Sequence, residues 1–161
     1  MAISITLPHK QMSLSPEETE EFGRSMADLL LQDATLPPFI ALYGDLGVGK
    51  TAFVRGLSSR LSPESLVRSP TFSLVNEYPV RNPVSRRRFT SLFHFDMYRI
   101  SSEDDLDSIG FWDYPMRKGL ILTEWSENVP FALPEDYLRV TISKCEENES
   151  YRVITAERVL S

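Results

Sequence analysis

Cysteine is almost missing from this chain. Cys145 stands alone, which excludes an internal disulfide, and no Cys/His cluster has the spacing of a zinc site. The two histidines, His9 and His94, lie too far apart in sequence for any motif to pair them. Long hydrophobic runs are lacking too: no apolar stretch approaches the ~20 residues that cross a bilayer. Met1-Ala2-Ile3-Ser4-Ile5-Thr6-Leu7 has neither the basic region nor the long apolar core of a signal peptide. No membrane role is expected, and the chain is expected in the cytoplasm. Positive charge is in deficit. A formal net charge of −6 argues against a protein that grips nucleic acid unaided, because such binding is largely phosphate neutralisation. No N-K-x-D segment, of the kind that reads guanine, occurs anywhere.

What is present is ordinary globular material: 161 residues, 42% of them hydrophobic, enough for one domain over residues 1–161 with a core that needs no staples. Its most informative stretch is Gly44-Asp45-Leu46-Gly47-Val48-Gly49-Lys50-Thr51, a full match to G-x-x-x-x-G-K-[ST]. The apolar run Phe39-Ile40-Ala41-Leu42-Tyr43 precedes it and predicts a buried parallel strand. Phe53, Val54, Leu57 and Leu61 follow at helical spacing and predict a helix from about Lys50. Strand, glycine-rich turn and helix form the context in which backbone N–H groups cradle phosphates. Residues 45–52, that is Asp45, Leu46, Gly47, Val48, Gly49, Lys50, Thr51 and Ala52, are therefore the candidate nucleotide contacts. Lys50 is placed to reach the β- and γ-phosphates of ATP, and the Thr51 hydroxyl to ligate Mg²⁺.

Around this unit the chain predicts further elements. Ile3, Ile5 and Leu7 alternate with polar residues and predict a strand ended by Pro8. Ser15-Pro16-Glu17-Glu18 carries the cap, proline and glutamate of a helix start, with Phe22, Met26, Leu29 and Leu30 as the buried stripe. Two extended arms, one after Ser69-Pro70-Thr71 and one over residues 89–100, flank a basic turn at residues 81–88 and predict a hairpin. Arg86, Arg87 and Arg88 in that turn suit a solvated loop as well as a contact with RNA or a partner. Ser101-Ser102-Glu103 starts a short helix that Gly110 ends, Leu120-Ile121-Leu122-Thr123-Glu124 is a second buried strand, and residues 137–156 predict a C-terminal hairpin. The pattern is α/β: a P-loop NTPase-like central sheet flanked by helices, with antiparallel hairpin additions.

Two acids close apolar runs. Asp96 ends Leu92-Phe93-His94-Phe95-Asp96, and Glu124 ends Leu120-Ile121-Leu122-Thr123-Glu124. Ligands of open parallel sheets bind at the carboxyl ends of strands, so each acid points toward the phosphates. One would hold Mg²⁺ and the other orient the attacking water, and the sequence leaves open which does which. The candidate catalytic set is thus Lys50, Asp96 and Glu124, with Thr51 and Glu124 as candidate metal ligands.

Taken together, the phosphate loop, Ser69-Pro70-Thr71-Phe72-Ser73-Leu74-Val75, His94-Phe95-Asp96-Met97-Tyr98-Arg99 and Glu124-Trp125 resemble the TsaE family, also called YjeE. The order matches over residues 40–127. The resemblance implies a bacterial ATPase needed for threonylcarbamoyladenosine formation in tRNA, using ATP and Mg²⁺ and working with TsaD and TsaB, so that tRNA is met through the complex. It further implies that Thr51 ligates Mg²⁺ and that Ser69-Pro70-Thr71 is a switch-like loop, with Ser69 and Thr71 near the γ-phosphate. Asp96 and Glu124 would serve hydrolysis, and Trp125 would lie beside the nucleotide. The basic stretch around Arg86 to Arg88 is longer than the usual hairpin tip of that family. Two other readings use the same loop: a small-molecule kinase, with an arginine-bearing lid and an acceptor site, and a nucleotide-sensing adaptor without catalysis.

Overall fold

A computed structural model of the chain describes residues 4–45, 47–70 and 74–161. Its elements run β1 (His9–Ser13), α1 (Pro16–Gln32), β2 (Phe39–Tyr43), α2 (Lys50–Leu61), β3 (Val75–Pro79), β4 (Ser91–Asp96), α3 (Glu103–Ser108), β5 (Gly119–Glu124), β6 (Asp136–Lys144) and β7 (Arg152–Leu160). The strands form one seven-stranded sheet in the order β1-β7-β6-β2-β5-β4-β3. Its middle, β6-β2-β5-β4, is parallel, and the antiparallel pairs β3/β4, β6/β7 and β1/β7 extend it on both sides. This is the P-loop NTPase-like arrangement, and both hairpins are present.

The pleat sorts side chains by parity. Ile40, Leu42, Leu120, Leu122, Leu138 and Val140 face α1 and α2, where they meet Phe22, Met26, Leu30, Phe53 and Leu57. Phe39, Ala41, Phe93, Phe95 and Ile121 face the other way, onto Leu106, Phe111 and Val129. Strands buried on both faces account for the near-continuous apolar runs in β2, β4 and β5.

Helix α1 begins where its sequence predicts. The Ser15 side chain accepts the Glu18 N–H at 3.2 Å, an orphan donor of the first turn, and Glu18 Oε2 accepts the Leu14 N–H, just before the cap, at 2.7 Å. Of the expected stripe, Phe22, Met26 and Leu30 are buried, whereas Leu29 is half-buried; Gly23 and Ala27 complete the inner face. Small residues are needed there because the two helices touch backbone to backbone. A Cβ on Gly56 would lie 1.9 Å from the Glu20 carbonyl oxygen, and one on Gly23 would lie 2.3 Å from that of Phe53.

The first strand departs from the sequence expectation. Ile3 lies outside the described residues, and residues 4–8 are not in a strand although Ile5 is buried. Pro8 precedes β1, which pairs with β7 alone as the sheet edge. An edge strand needs little apolar character, so His9-Lys10-Gln11-Met12-Ser13 gives no alternation to read, while the more hydrophobic segment before it does.

The basic turn is only partly a solvated loop. Arg88 donates to the main-chain carbonyls of Leu30, Asp33 and Leu36, tying the β3–β4 hairpin to the end of α1. Helix C-termini leave carbonyls without intrahelical donors, and a guanidinium can serve several at once. Arg86 donates to the Val80 carbonyl of its own hairpin at 2.6 Å, and Arg87 is exposed. Among the described residues, no helix is long and apolar enough to cross a membrane.

The helix contact gives a stability prediction. Alanine is preferred over glycine inside a helix by about 1 kcal/mol, but a methyl forced against a backbone carbonyl has no rotamer to escape into. Overpacking of that kind costs about 1–3 kcal/mol or more. Gly56→Ala is expected to lower the urea midpoint of unfolding; a raised midpoint would show that the helices separate at little cost.

Candidate nucleotide site

The loop between β2 and α2 owes its path to glycine at its first position. Gly44 has φ of 152°, and a Cβ there would stand 2.6 Å from the Ile142 carbonyl oxygen and 2.7 Å from Val48 Cγ2. The chain therefore leaves β2 pressed against β6. At the other end, Gly49 (φ 106°) precedes α2 with no side chain capping the helix, so the first-turn N–H groups are left for an anion. Tyr43, the last residue of β2, has its phenol pushed up to about 12, chiefly by burial.

Lys50, the first residue of α2, is 6% exposed. Its Nζ donates to the Gly44 carbonyl at 2.7 Å and lies 4.2 Å from the centroid of the Trp125 ring. Trp125 is set for this by a left-handed backbone (φ 60°), uncommon for a residue with a Cβ, and the Tyr98 ring packs against it at 5.1 Å. The lysine thus ties the start of the loop to the end of β5.

Glu124 and Asp96 lie at the same level. In the parallel ladder Leu42 pairs with Glu124 and Asp96 pairs with Glu124, so one cross-strand row holds both acids two residues short of Gly44 in β2. By parity both side chains belong to the face that α2 covers, and each is only 7% exposed. Asp96 Oδ1 accepts the Tyr98 N–H at 2.9 Å, which fixes one oxygen and leaves the other. The Asp96 N–H donates to the Leu74 carbonyl at 2.9 Å, and the Met97 N–H to that of Glu124 at 3.0 Å, so main-chain bonds tie the end of β4 to the start of β3 on one side and to the end of β5 on the other.

Beneath the acids lies His94, 1% exposed, two residues before Asp96 and on the same face. Its Nε2 is 2.5 Å from Glu124 Oε2, while Nδ1 is buried without a partner among the described residues. The Nε2–H tautomer serves both facts: it donates to the carboxylate and leaves at Nδ1 a bare lone pair rather than an unpaired N–H.

A family model described as threonylcarbamoyl adenosine biosynthesis protein TsaE matches residues 13–154. The chain belongs to the TsaE family. It is similar to the tRNA threonylcarbamoyladenosine biosynthesis protein TsaE of Haemophilus influenzae, 33% identical over 134 residues, 83% of this chain and 80% of that one. The protein of the same name from Bacillus subtilis is 31% identical over 147 residues, 91% of this chain and 85% of that one. The crystal structure of Bacillus subtilis YdiB superposes with a TM-score of 0.67 at 25% identity, over 99% of this chain and 90% of that one.

Of the residues singled out in the sequence, the fold brings Lys50, Trp125, Asp96 and Glu124 to one end of the sheet. Val48 and Ala52 are buried beside the loop, while Asp45, Gly47 and Thr51 are exposed on it. Ser69 is exposed, ahead of buried Pro70, whose carbonyl accepts the Leu74 N–H at 2.8 Å. Leu46 and Thr71 lie outside the described residues. Among the described residues no group of three or more His, Cys, Asp or Glu side chains converges on one point. Mg²⁺ does not require such a group, since that ion takes one or two protein oxygens and completes its shell with phosphates and water.

Two residues escaped the sequence reading. His94 stands two places before Asp96, and the period of a strand puts the two on one face, a signal that was there to use. Arg152 reaches the loop from β7, and no local pattern announces it.

The His94–Glu124 contact is testable as a pair. Replacing His94 alone with Leu leaves a buried carboxylate without its donor, at a cost of about 1–3 kcal/mol. Replacing both residues with Leu removes the unpaired charge as well. Chemical denaturation is expected to show His94→Leu clearly destabilised and His94→Leu/Glu124→Leu recovering most of the loss. Additive losses would show that the two residues are not coupled.

Proposed function

We propose that this chain binds ATP with Mg²⁺ and hydrolyses it, as the nucleotide-driven component of tRNA threonylcarbamoyladenosine formation. The observation that carries the reading is that Lys50, held on the Gly44 carbonyl and against Trp125, and two acids in register share the end of the sheet from which the loop leaves. In this account the loop N–H groups and Lys50 take the charge of the phosphates, with Lys50 giving up the Gly44 carbonyl to do so. Thr51 and Glu124 would hold Mg²⁺, which supplies neutralisation of the β- and γ-oxygens. Asp96, with one oxygen free of the Tyr98 N–H, is the group left to orient water for attack on the γ-phosphorus. His94 keeps Glu124 in one rotamer throughout.

Partners follow from what the site lacks. It accounts for nucleotide chemistry and contains no second set of converging groups for carbamoyl transfer among the described residues. A nucleotide switch without its own acceptor works by favouring one state of a complex, through different affinities with ATP and with ADP. The names of the relatives place those proteins in threonylcarbamoyladenosine biosynthesis, and we take TsaD and TsaB as the partners, with tRNA met through them. The net charge of −6 supports weak binding of free tRNA by this chain alone.

Turnover and affinity separate the roles. Lys50→Ala is expected to abolish phosphate release. Asp96→Asn and Glu124→Gln are expected to lower it roughly 100-fold while changing ADP affinity far less, because both keep shape and remove only charge. Phosphate release at the parent rate in Lys50→Ala would remove the loop from the mechanism. An unchanged rate in either acid variant would do the same for that acid.

A further inference from the structure

The guanidinium of Arg152 sits behind the phosphate loop. Arg152 opens β7, just after the turn of the β6–β7 hairpin. Its Nε donates to the Val48 carbonyl at 2.9 Å, and its Nη2 reaches the Gly47 carbonyl at 3.5 Å. Nη1 donates to the carbonyls of Tyr151, at 3.0 Å, and of Glu149, both in the hairpin. Every one of these partners is main chain. The neighbouring arginines of the same hairpin behave otherwise: Arg139 pairs with the Glu157 carboxylate and Arg158 with that of Asp136. Arg152 bonds loop carbonyls although Glu146, Glu147 and Glu149 stand beside it in the sequence.

Those carbonyls need a donor for a reason. A loop that turns its N–H groups inward to a ligand turns its C=O groups outward; that of the buried Val48 must be paired, while that of the exposed Gly47 is also open to water. Packing holds the loop at Val48, whose side chain is in the core, but not at the glycines on either side of it. A Cβ at Gly47 or Gly49 would meet nothing within 4 Å. The turn bond within the loop is long, with the Val48 N–H 3.4 Å from the Asp45 carbonyl oxygen. The hydrogen bonds of Arg152 hold the loop's carbonyls from outside, as Lys50 holds its first carbonyl from inside. A cation behind the loop also polarises the peptide groups so that their N–H ends become better anion donors.

We propose that Arg152 is a positioning residue for the nucleotide site, holding the phosphate loop in its anion-binding shape through the carbonyls of Gly47 and Val48. The inference rests on the nucleotide reading of that site. It makes the C-terminal hairpin part of the binding machinery, although its residues lie outside the loop, the acids and the switch-like segment.

The test is isothermal calorimetry of the full chain with ADP and Mg²⁺ for the parent, Arg152→Gln, Arg152→Lys and Arg158→Gln, beside thermal melts of each. Arg152→Gln is expected to bind ADP about tenfold more weakly, the scale of one charge-assisted hydrogen bond. Arg152→Lys keeps the charge and one donor but cannot bridge two carbonyls, and is expected to recover part of the loss. Arg158→Gln loses a hairpin ion pair far from the loop and is expected to bind like the parent. ADP affinity within twofold of the parent in Arg152→Gln would overturn the proposal, as would an equal loss in Arg158→Gln. Should Arg152→Gln fail to fold, Arg152→Lys decides by the same criterion. A parent that does not bind ADP overturns the nucleotide reading itself, a result distinct from a parent that binds and an Arg152 variant that binds equally.

Discussion

The structure depends on a single row of the parallel ladder, in which Leu42, Glu124 and Asp96 stand side by side on β2, β5 and β4. The pleat permits only two directions for a side chain, and a slip of one residue would turn either carboxylate to the opposite face. The register is held by burial on both sides: Leu122 and Leu42 belong to one core, Ile121 and Ala41 to the other. A slip would have to exchange both cores at once. The chemistry at the end of the strands is thus specified by packing in their middle.

Helix α2 is the second fixed part. Its backbone lies against that of α1 at Gly56 and Gly23, and its first residue, Lys50, reaches across the loop to Trp125. The loop is suspended between these two bodies. It is held at Gly44 by the carbonyl of Ile142 behind it and by Lys50 in front. At Gly47 and Val48 it is held by Arg152. Apart from Val48, whose side chain is packed in the core, this restraint is hydrogen bonding to main chain, which makes the loop's shape sensitive to residues remote in sequence.

Much of this was legible in the sequence because the signals are local. The phosphate loop, its strand and its helix lie within two dozen residues, and the capping box of α1 spans four. The runs ending in Asp96 and Glu124 gave strand direction and an acid at the carboxyl end together. What the sequence did not yield is of two kinds. The edge strand β1 has no apolar alternation because nothing packs on it as on the centre, and a propensity reading settled on the neighbouring Ile-Ser-Ile-Thr-Leu instead. Arg88 and Arg152 act on carbonyls that fold in from 52 to 58 and from 104 to 105 residues away, and main-chain acceptors leave no mark on the sequence. His94 falls between: its strand position was readable, but its partner Glu124 belongs to another strand whose register only the fold reveals.

The family assignment and the geometry bear on different questions. Membership of the TsaE family connects the chain to threonylcarbamoyladenosine biosynthesis, while Lys50, Trp125 and the paired acids describe what its own residues can do with a nucleotide. Trp125 reports on the second, because its ring lies against the Lys50 ammonium, which in the proposed mechanism moves to meet phosphates. The most direct test is a titration of the purified chain with ADP and Mg²⁺, followed by tryptophan emission, with Trp125→Phe as the control. The account expects a saturable change in the parent that is absent in Trp125→Phe, where Trp112 alone remains. No change in the parent, or the same change in Trp125→Phe, would contradict it.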